Sequence, residues 1–167
     1  MPTDAVSAES SDRIQLVHAT EGEQIEQVRE LFLEYASSLG FSLCFQNFEE
    51  ELKNLPGDYQ QPAGCLLLAL CAGQPAGCVA LRPLEKSICE MKRLYLRPAF
   101  RGKGIGKILV ERVIFEARAK SYQRMRLDTV VSEMKDAIKI YRRIGFREIP
   151  PYRANPLADA LYMELVL

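Results

Sequence analysis

Two kinds of hydrophobic pattern follow one another along this chain of 167 residues: strict alternation, and recurrence at spacings of three and four. Residues 13–19 alternate and predict a first strand. Residues 25–39 then carry apolar side chains at helical spacing. Thr20 and Glu23 stand before them in the positions of a capping box, and Gly40 follows as a helix-ending residue. The chain therefore begins with a strand and an amphipathic helix.

The rest of the chain continues this exchange of strand and helix patterns. It predicts a short helix over 46–54, strands over 64–72, 75–82 and 87–97, a helix from 105 to about 121, a strand over 125–131, a helix over 132–144 and a strand over 161–167. This order is that of a single mixed α/β domain over residues 13–167. Residues 1–12 are polar, with neither a basic start nor an apolar run, and predict a disordered leader rather than a signal peptide.

One glycine-containing turn, Arg101-Gly102-Lys103-Gly104-Ile105-Gly106, joins a predicted strand to a predicted helix. A turn that opens a helix points several backbone N–H groups, and the positive end of the helix dipole, at one spot. Gly104 and Gly106 have no side chains, so the backbone can approach a phosphate closely. The turn therefore predicts an anion site, and the alternative is a tight turn that only starts the helix.

Two other phosphate-binding loops do not match this turn. A P-loop would require a glycine at position 101 and a serine or threonine at position 108, where this chain has arginine and isoleucine. The dinucleotide fingerprint would require a third glycine in place of Lys107 or Leu109. Both classes of nucleotide site are therefore excluded.

The turn does match Arg/Gln-x-x-Gly-x-Gly/Ala, and through it the chain resembles the GNAT acetyltransferases, which hold the pyrophosphate of acetyl-coenzyme A in this loop. A second match is Ala137-x-x-x-Tyr141-x-x-x-Gly145-Phe146, similar to another characteristic segment of the family. The resemblance is strong over residues 64–146 and rests on element order before them. It implies a GNAT-like α/β domain whose central, mostly antiparallel sheet is splayed around the cofactor arm.

The resemblance also implies roles for individual residues. Glu90, which stands 11 positions before Arg101, would be the general base, and Tyr141 the acid that protonates the leaving thiolate. The alternatives are an outward-facing Glu90 and a Tyr141 that only fills the core. The implied cofactor-binding residues are Leu94, Tyr95 and Leu96 along the pantetheine arm, and Arg101, Gly102, Lys103, Gly104, Ile105 and Gly106 at the pyrophosphate. Met134 departs from the family, which often has a cofactor-binding asparagine there.

Composition limits the compartment and the metal content. Five cysteines without Cys-x-x-Cys spacing, and no export signal, predict reduced thiols and a cytoplasmic protein. His18 is the only histidine, so no cluster of metal ligands is expected. The longest strictly apolar run, residues 65–72, is too short to cross a bilayer, and no membrane partner is expected.

Charge is distributed unevenly although the net charge is zero. Residues 1–60 hold 12 acidic and 3 basic side chains, whereas six basic residues and no acid stand between Lys92 and Lys107. A basic zone around the turn suits a phosphorylated ligand. A nucleic-acid partner is disfavoured because the chain is neutral overall and lacks an RNA-binding aromatic motif.

These features together predict an N-acetyltransferase that moves an acetyl group from acetyl-coenzyme A directly to a primary amine of a small molecule or amino acid. The acidic segment 49–51 would favour a cationic amine, whereas Arg153 would suit the carboxylate of an amino acid. Asp128 and Thr129, at the end of a predicted strand, are expected to cap the following helix, and the alternative is a turn-forming or substrate-orienting role. The alternatives are a non-catalytic acyl-coenzyme A sensor and a protein lysine or N-terminal acetyltransferase, and a homodimer is compatible with all three.

Overall fold

A computed structural model describes residues 13–43 and 47–167 of the chain. The predicted leader over residues 1–12, and the start of the second predicted helix at residue 46, lie outside the described residues. The elements are β1 (Ile14–His18), α1 (Gly22–Ser38), α2 (Phe48–Lys53), β2 (Cys65–Cys71), β3 (Gln74–Glu85), β4 (Ile88–Leu96), α3 (Ile105–Ala119), β5 (Arg124–Val130), α4 (Lys135–Ile144), β6 (Arg147–Ile149) and β7 (Ala160–Val166). Short 3₁₀ turns cover Gly57–Tyr59 and Pro98–Phe100.

The strands form one seven-stranded mixed sheet in the order β1-β2-β3-β4-β5-β7-β6. Every neighbouring pair is antiparallel except β4 and β5, which run parallel. This parallel pairing is short, because it ends at Glu90 opposite Arg126. Beyond that point the two strands separate, and the edge of β4 from Met91 to Leu96 has no partner on β5. The predicted α/β fold with a splayed sheet is therefore confirmed.

Both faces of the sheet carry a hydrophobic core. On one face the sheet packs against α3 and α4, with Leu67 of β2 among the buried residues. On the other face it packs against α1 and α2, with Leu66 and Leu68 buried there. Because β2 is covered on both sides, its residues are apolar almost throughout, and alternation is absent from this strand.

Three local predictions need correction. The capping box is wrong, because Ala19 stays bonded to Leu66 of β2 and α1 begins at Gly22 behind Glu21, with no side-chain cap. The last helix begins at Lys135 rather than residue 132, because the residues before it form a turn that is bonded to Val130. Strand β6 was not predicted, since its three residues give too short a pattern.

Asp128 and Thr129 do not cap the helix that follows them. Both lie inside β5, where they pair with Tyr162 and Leu161 of β7. Met134 occupies the N-cap position of α4 instead and makes no side-chain cap hydrogen bond there. The cap expectation is therefore wrong, and Asp128 becomes available for another role at the splayed end of the sheet.

Candidate functional site

A cleft of about 1250 Å³ opens where β4 and β5 separate, between β4, the start of α3, and α4. Its lining includes Leu94, Tyr95 and Leu96 from β4, Arg101, Gly102, Gly104, Ile105, Gly106 and Lys107 from the turn and α3, and Ala137, Lys139, Ile140, Arg143 and Ile144 from α4. The cleft therefore contains eight of the nine residues that the sequence assigned to cofactor binding. The ninth, Lys103, is exposed and does not line it.

The glycine-containing turn presents backbone donors to this cleft. Gly102 and Gly104 both have φ of +79°, and a Cβ built on either would meet no atom within 4 Å. Gly104 is the N-cap of α3, and its carbonyl accepts the first helical bond from the N–H of Ile108. The N–H groups of the first turn consequently have no acceptor within the helix. This open, donor-rich cradle fits a pyrophosphate group.

The Arg101 side chain supports the turn rather than reaching across the cleft. Its Nε donates to the carbonyl oxygen of Leu96 at 3.1 Å, and its guanidinium carbon lies 6.0 Å from the centre of the Tyr95 ring. These contacts join the turn to the end of β4. The backbone of the turn, more than the charge of Arg101, is therefore arranged in a way that suits an anion.

A β-bulge lies next to the cleft on β4. Ala80 of β3 pairs with Lys92, but Cys78 pairs with Tyr95, so β4 has an extra residue between these pairs. Arg93, in the bulge, has φ of +60°, and its buried guanidinium donates to both carboxylate oxygens of Glu51 at 2.9 and 3.0 Å. The bulge turns the unpaired edge of Leu94–Leu96 toward the cleft. No feature of the sequence predicted this bulge.

Tyr141 lies beneath the lining formed by its neighbours on α4. Only 5% of the residue is exposed, and its ring centre lies 5.6 Å from that of Phe146. Burial raises the pKa of Tyr141 above its ordinary value, with a smaller contribution from Tyr35, which itself lines the cleft. Within residues 13–43 and 47–167, the Tyr141 hydroxyl has no hydrogen-bond partner. The hydroxyl is therefore protonated at neutral pH and free to donate.

Glu90 is fully buried and lies outside the cleft lining. Its Oε1 accepts from Arg82 at 2.9 Å, and its Oε2 accepts from the Tyr152 hydroxyl at 2.7 Å and from Arg153. Both carboxylate oxygens are thus engaged. The structure brings Glu90 together with Arg153, which the sequence had singled out, and with Arg82 and Tyr152, which it had not.

One of these missed contacts had a signal in the sequence. Arg82 and Glu90 are opposite charges in the two arms of a predicted hairpin, each in a mostly apolar run, and they pair across it. Tyr152 had no such signal, because it reaches Glu90 from a loop 62 positions away. Contacts of that separation depend on the closed fold, which local patterns do not encode.

A second, smaller pocket of about 30 Å³ adjoins the cleft and shares Tyr35 and Met134 with it. Asp128 and Asn155 contribute the charged and amide groups of its lining, and Asn155 donates to Asp128 at 3.5 Å. Lys92 lies near this region, since Asp128 is among the charges that act on it. Burial, followed by the charges of Arg93 and Arg82, lowers the pKa of Lys92 to about 7.

Across the two described segments, no group of three or more His, Cys, Asp or Glu side chains could hold a metal ion. No helix in this part of the chain is both long and apolar enough to cross a membrane. The expectation of metal-free activity stays a prediction.

Comparison with known proteins agrees with this geometry. Residues 25–146 match the Acetyltransferase (GNAT) family. An N-acetyltransferase of Schizosaccharomyces pombe is 37% identical over 86% of this chain and 88% of its own length. N-acetylaspartate synthetase of Danio rerio is 35% identical, over 59% of this chain and 36% of that protein.

Solved structures agree on the fold. A GNAT-family acetyltransferase of Staphylococcus aureus superposes with a TM-score of 0.75 at 20% identity, covering 91% of this chain and 98% of that one. The PaiA N-acetyltransferase of Thermoplasma acidophilum, solved in complex with coenzyme A, has a TM-score of 0.69 at 18% identity and covers 93% of this chain and 99% of that one. With the splayed sheet, the glycine turn and the family match in agreement, the chain belongs to the GNAT family of acetyltransferases.

Proposed function

We propose that this enzyme transfers an acetyl group from acetyl-coenzyme A to the primary amine of a small molecule or amino acid, directly and within a ternary complex. The observation that carries the proposal is the glycine turn at the start of α3, which opens onto the same cleft as the unpaired edge of β4. Bound acetyl-coenzyme A would supply the acetyl group as a reactive thioester.

The chain offers separate groups for the two ends of the cofactor. The first N–H groups of α3, with Gly102 and Gly104 leaving space before them, would bind the pyrophosphate. The edge of Leu94–Leu96, which lacks a β5 partner, would bind the pantetheine arm by backbone hydrogen bonds, and an N–H of this edge would polarise the thioester carbonyl. Met134 stands where the family often has a cofactor-binding asparagine, and because its side chain has no amide, it would not make that hydrogen bond to the cofactor.

Tyr141 remains our proposed acid for the leaving thiolate. Its hydroxyl is protonated at neutral pH because burial raises its pKa, and it has no competing acceptor in the part of the chain that the structure describes. The same burial makes the hydroxyl a weaker acid than free tyrosine. A moderate contribution to the rate follows.

Glu90 remains our proposed general base, but its contacts limit the route by which a proton can reach it. Because Arg82, Arg153 and Tyr152 engage both of its oxygens, the acceptor amine has no direct access to it. The Tyr152 hydroxyl, which donates to Oε2, would pass the proton on to Glu90 while it accepts one from the amine side. Glu90 also holds two guanidinium groups in place, which is a positioning role.

The experiment that tests the proposal measures the release of free coenzyme A thiol with a panel of amines, with product identity checked by mass spectrometry. We expect turnover with some primary amines and full activity after prolonged treatment with a chelator. Binding of acetyl-coenzyme A without turnover of any small or protein amine would instead indicate the non-catalytic sensor. Turnover with peptides only would indicate a protein acetyltransferase.

A further inference from the structure

Lys92 is a mostly buried lysine whose amino group has no hydrogen-bond or ion-pair partner in the described segments. Only 8% of the residue is exposed. Burying an unpaired charge costs stability, and buried charges in proteins are ordinarily paired. A ligand with a negative charge would supply such a partner and favour the ammonium form of Lys92.

Asp128 faces Lys92 across the gap between the separating strands. The last parallel pair is Glu90 opposite Arg126, and Lys92 and Asp128 stand two residues further along β4 and β5. Residues two apart share a face of a sheet, so Lys92 and Asp128 lie on the same side as that last pair. The charges of Glu51 and, more weakly, of Asp128 act on Lys92, yet no ion pair joins Lys92 to either carboxylate in the described structure.

The surroundings of Lys92 are positively charged. Arg82 pairs with Glu90, and Ala80 pairs with Lys92, so Arg82 is the diagonal neighbour of Lys92 on one face of the sheet. Glu90 neutralises only one of its two guanidinium partners, Arg82 and Arg153. The other carboxylate near Arg82 is Asp58, which is 3.8 Å away and largely exposed, so water screens its charge and it offsets less of the positive charge at the buried end. A negatively charged group would be attracted to this end of the gap.

The acidic segment 49–51 does not compensate for this charge in favour of a cationic acceptor. Glu51 accepts hydrogen bonds from two nitrogens of the Arg93 guanidinium, and Glu50 lies 3.4 Å from the Lys53 ammonium. The carboxylate that remains at the gap is Asp128, which among the described residues accepts a side-chain hydrogen bond from Asn155 at 3.5 Å and makes no ion pair. Lys92 and Asp128 thus lie on the two sides of the gap with opposite charges, and no ion pair joins them.

We propose that Lys92 and Asp128 are the two ends of an acceptor subsite for an amine that also carries a carboxylate, with Lys92 binding the carboxylate and Asp128 the ammonium group. This assignment rests on the proposed acetyl transfer and names its substrate class. Arg82 and Arg153 add positive charge at the carboxylate end. A bound carboxylate also favours the charged form of Lys92, so that the ligand and the lysine stabilise each other.

The test compares amino acids with amides that keep the amine and carry no carboxylate. Glycine and L-methionine with their α-amides, and L-aspartate and L-glutamate with their diamides, are assayed for thiol release with the parent enzyme and with Lys92→Met, Asp128→Asn and Lys86→Met. Lys86 is exposed in the turn between β3 and β4 and serves as the control for loss of one lysine charge. Calorimetry of the same compounds on the coenzyme A-bound protein measures binding without catalysis.

We expect the parent to prefer at least one acid over its amide by about 10- to 100-fold in kcat/KM, the range for a hydrogen bond between charged groups. Lys92→Met should remove this preference by raising the KM and Kd of the acid alone. Asp128→Asn should weaken the binding of the acid and of the amide alike, because both carry the ammonium group. Lys86→Met should leave the binding of both unchanged. The melting temperature of each variant verifies its fold.

Equal kcat/KM for every acid and its amide in the parent would overturn the subsite while acetyl transfer stands. If no compound is acetylated, the proposed acceptor class fails and calorimetry decides the subsite. Acid binding that is lost in Lys92→Met would support it, and equal binding of acids and amides would overturn it. If Lys92→Met does not fold, Asp128→Asn decides, since it must weaken acids and amides together.

Discussion

The proposed cofactor side, which lines the cleft, and the proposed acceptor side, whose charged groups lie next to the cleft lining, are built around the same strand, β4, but from different kinds of group. The cofactor side uses backbone groups and apolar side chains of neighbouring elements, which are the glycine turn, the β4 edge and one stripe of α4. The acceptor side uses buried charges that arrive from β3, β4, β5 and the loop after β6. The first side tolerates many side chains provided the backbone keeps its path, whereas the second depends on each charged atom.

The largest effect is expected at the acceptor side, from Glu90→Gln. Loss of one partner of a buried ion pair costs about 3–5 kcal/mol of unfolding free energy, because Arg82 and Arg153 keep their charges. Loss of a general base lowers turnover by about 100- to 10,000-fold. Urea denaturation measures the first effect and thiol release the second, at a temperature where the variant is folded.

Tyr152→Phe is the matched variant, because it leaves both arginine contacts of Glu90 in place. If Glu90 acts as base through this hydroxyl, Tyr152→Phe should lose turnover, with a smaller loss of unfolding free energy than Glu90→Gln because only one hydrogen bond to the carboxylate is removed. The turnover deficits of Tyr152→Phe and Glu90→Gln should both shrink as pH rises and more acceptor amine is neutral. A Glu90→Gln deficit that is constant with pH would contradict the base role and leave only the positioning of the arginines.

On the cofactor side, Gly104→Val should weaken acetyl-coenzyme A binding by about 100-fold or more, because it fills the space before the α3 N–H groups. Gly73→Val is a close control, since Gly73 also has φ of +79° and open space around its Cβ but lies in the β2–β3 turn. Both variants should lose about 1–2 kcal/mol from the strained backbone. Calorimetry that finds equal cofactor affinity in the two would refute the phosphate site.

Tyr141→Phe should lower kcat by about 10- to 100-fold, at the weak end of general-acid effects. Stability should change little, because the ring still packs and the hydroxyl has no partner among the residues described. Tyr122→Phe is the control with the opposite expected result. The Tyr122 hydroxyl donates to the Ala63 carbonyl at 2.8 Å, so its removal should lower stability without lowering kcat. A Tyr141→Phe enzyme with parental kcat and a lowered melting temperature would assign Tyr141 to the core alone.

The smallest expected effect concerns Lys92 and the pH dependence of stability. The folded pKa of Lys92, about 7, lies below its ordinary value of 10.5, so between these values the folded state binds fewer protons than the unfolded state. Parent stability should therefore rise with pH in this window relative to Lys92→Met, by about 2 kcal/mol between pH 7 and 9. Below pH 7 the variant should be the more stable protein. Melting curves across pH, with equal slopes for both proteins, would contradict the buried charge.

The same contrast explains what could be predicted from the sequence. The cofactor side is local: residues 94–96, the glycine turn and its helix are adjacent in the chain, and eight of the nine residues implied by the resemblance to GNAT acetyltransferases line the cleft. That they bind the cofactor stays a prediction. Hydrophobic periodicity likewise found most elements, and missed β6 because three residues carry too little pattern. The acceptor side is assembled from segments that are distant in the chain. Each of its residues appears in the sequence only as a single charged side chain, and Lys92 stands out there only as part of a basic zone.

The parallel seam between β4 and β5 has a consequence for the mechanics of the sheet. Three residue pairs of the parallel ladder, from Ile88 opposite Arg124 to Glu90 opposite Arg126, join the first four strands to the last three. The N–H groups of Gln123 and Arg124 add two backbone hydrogen bonds to the Ser87 carbonyl at one end of this ladder. A cofactor arm bound along the open edge would lengthen this junction in the manner of an added strand. Amide hydrogen exchange along β4 should therefore slow on cofactor binding, and the two halves of the sheet should unfold together more cooperatively in its presence.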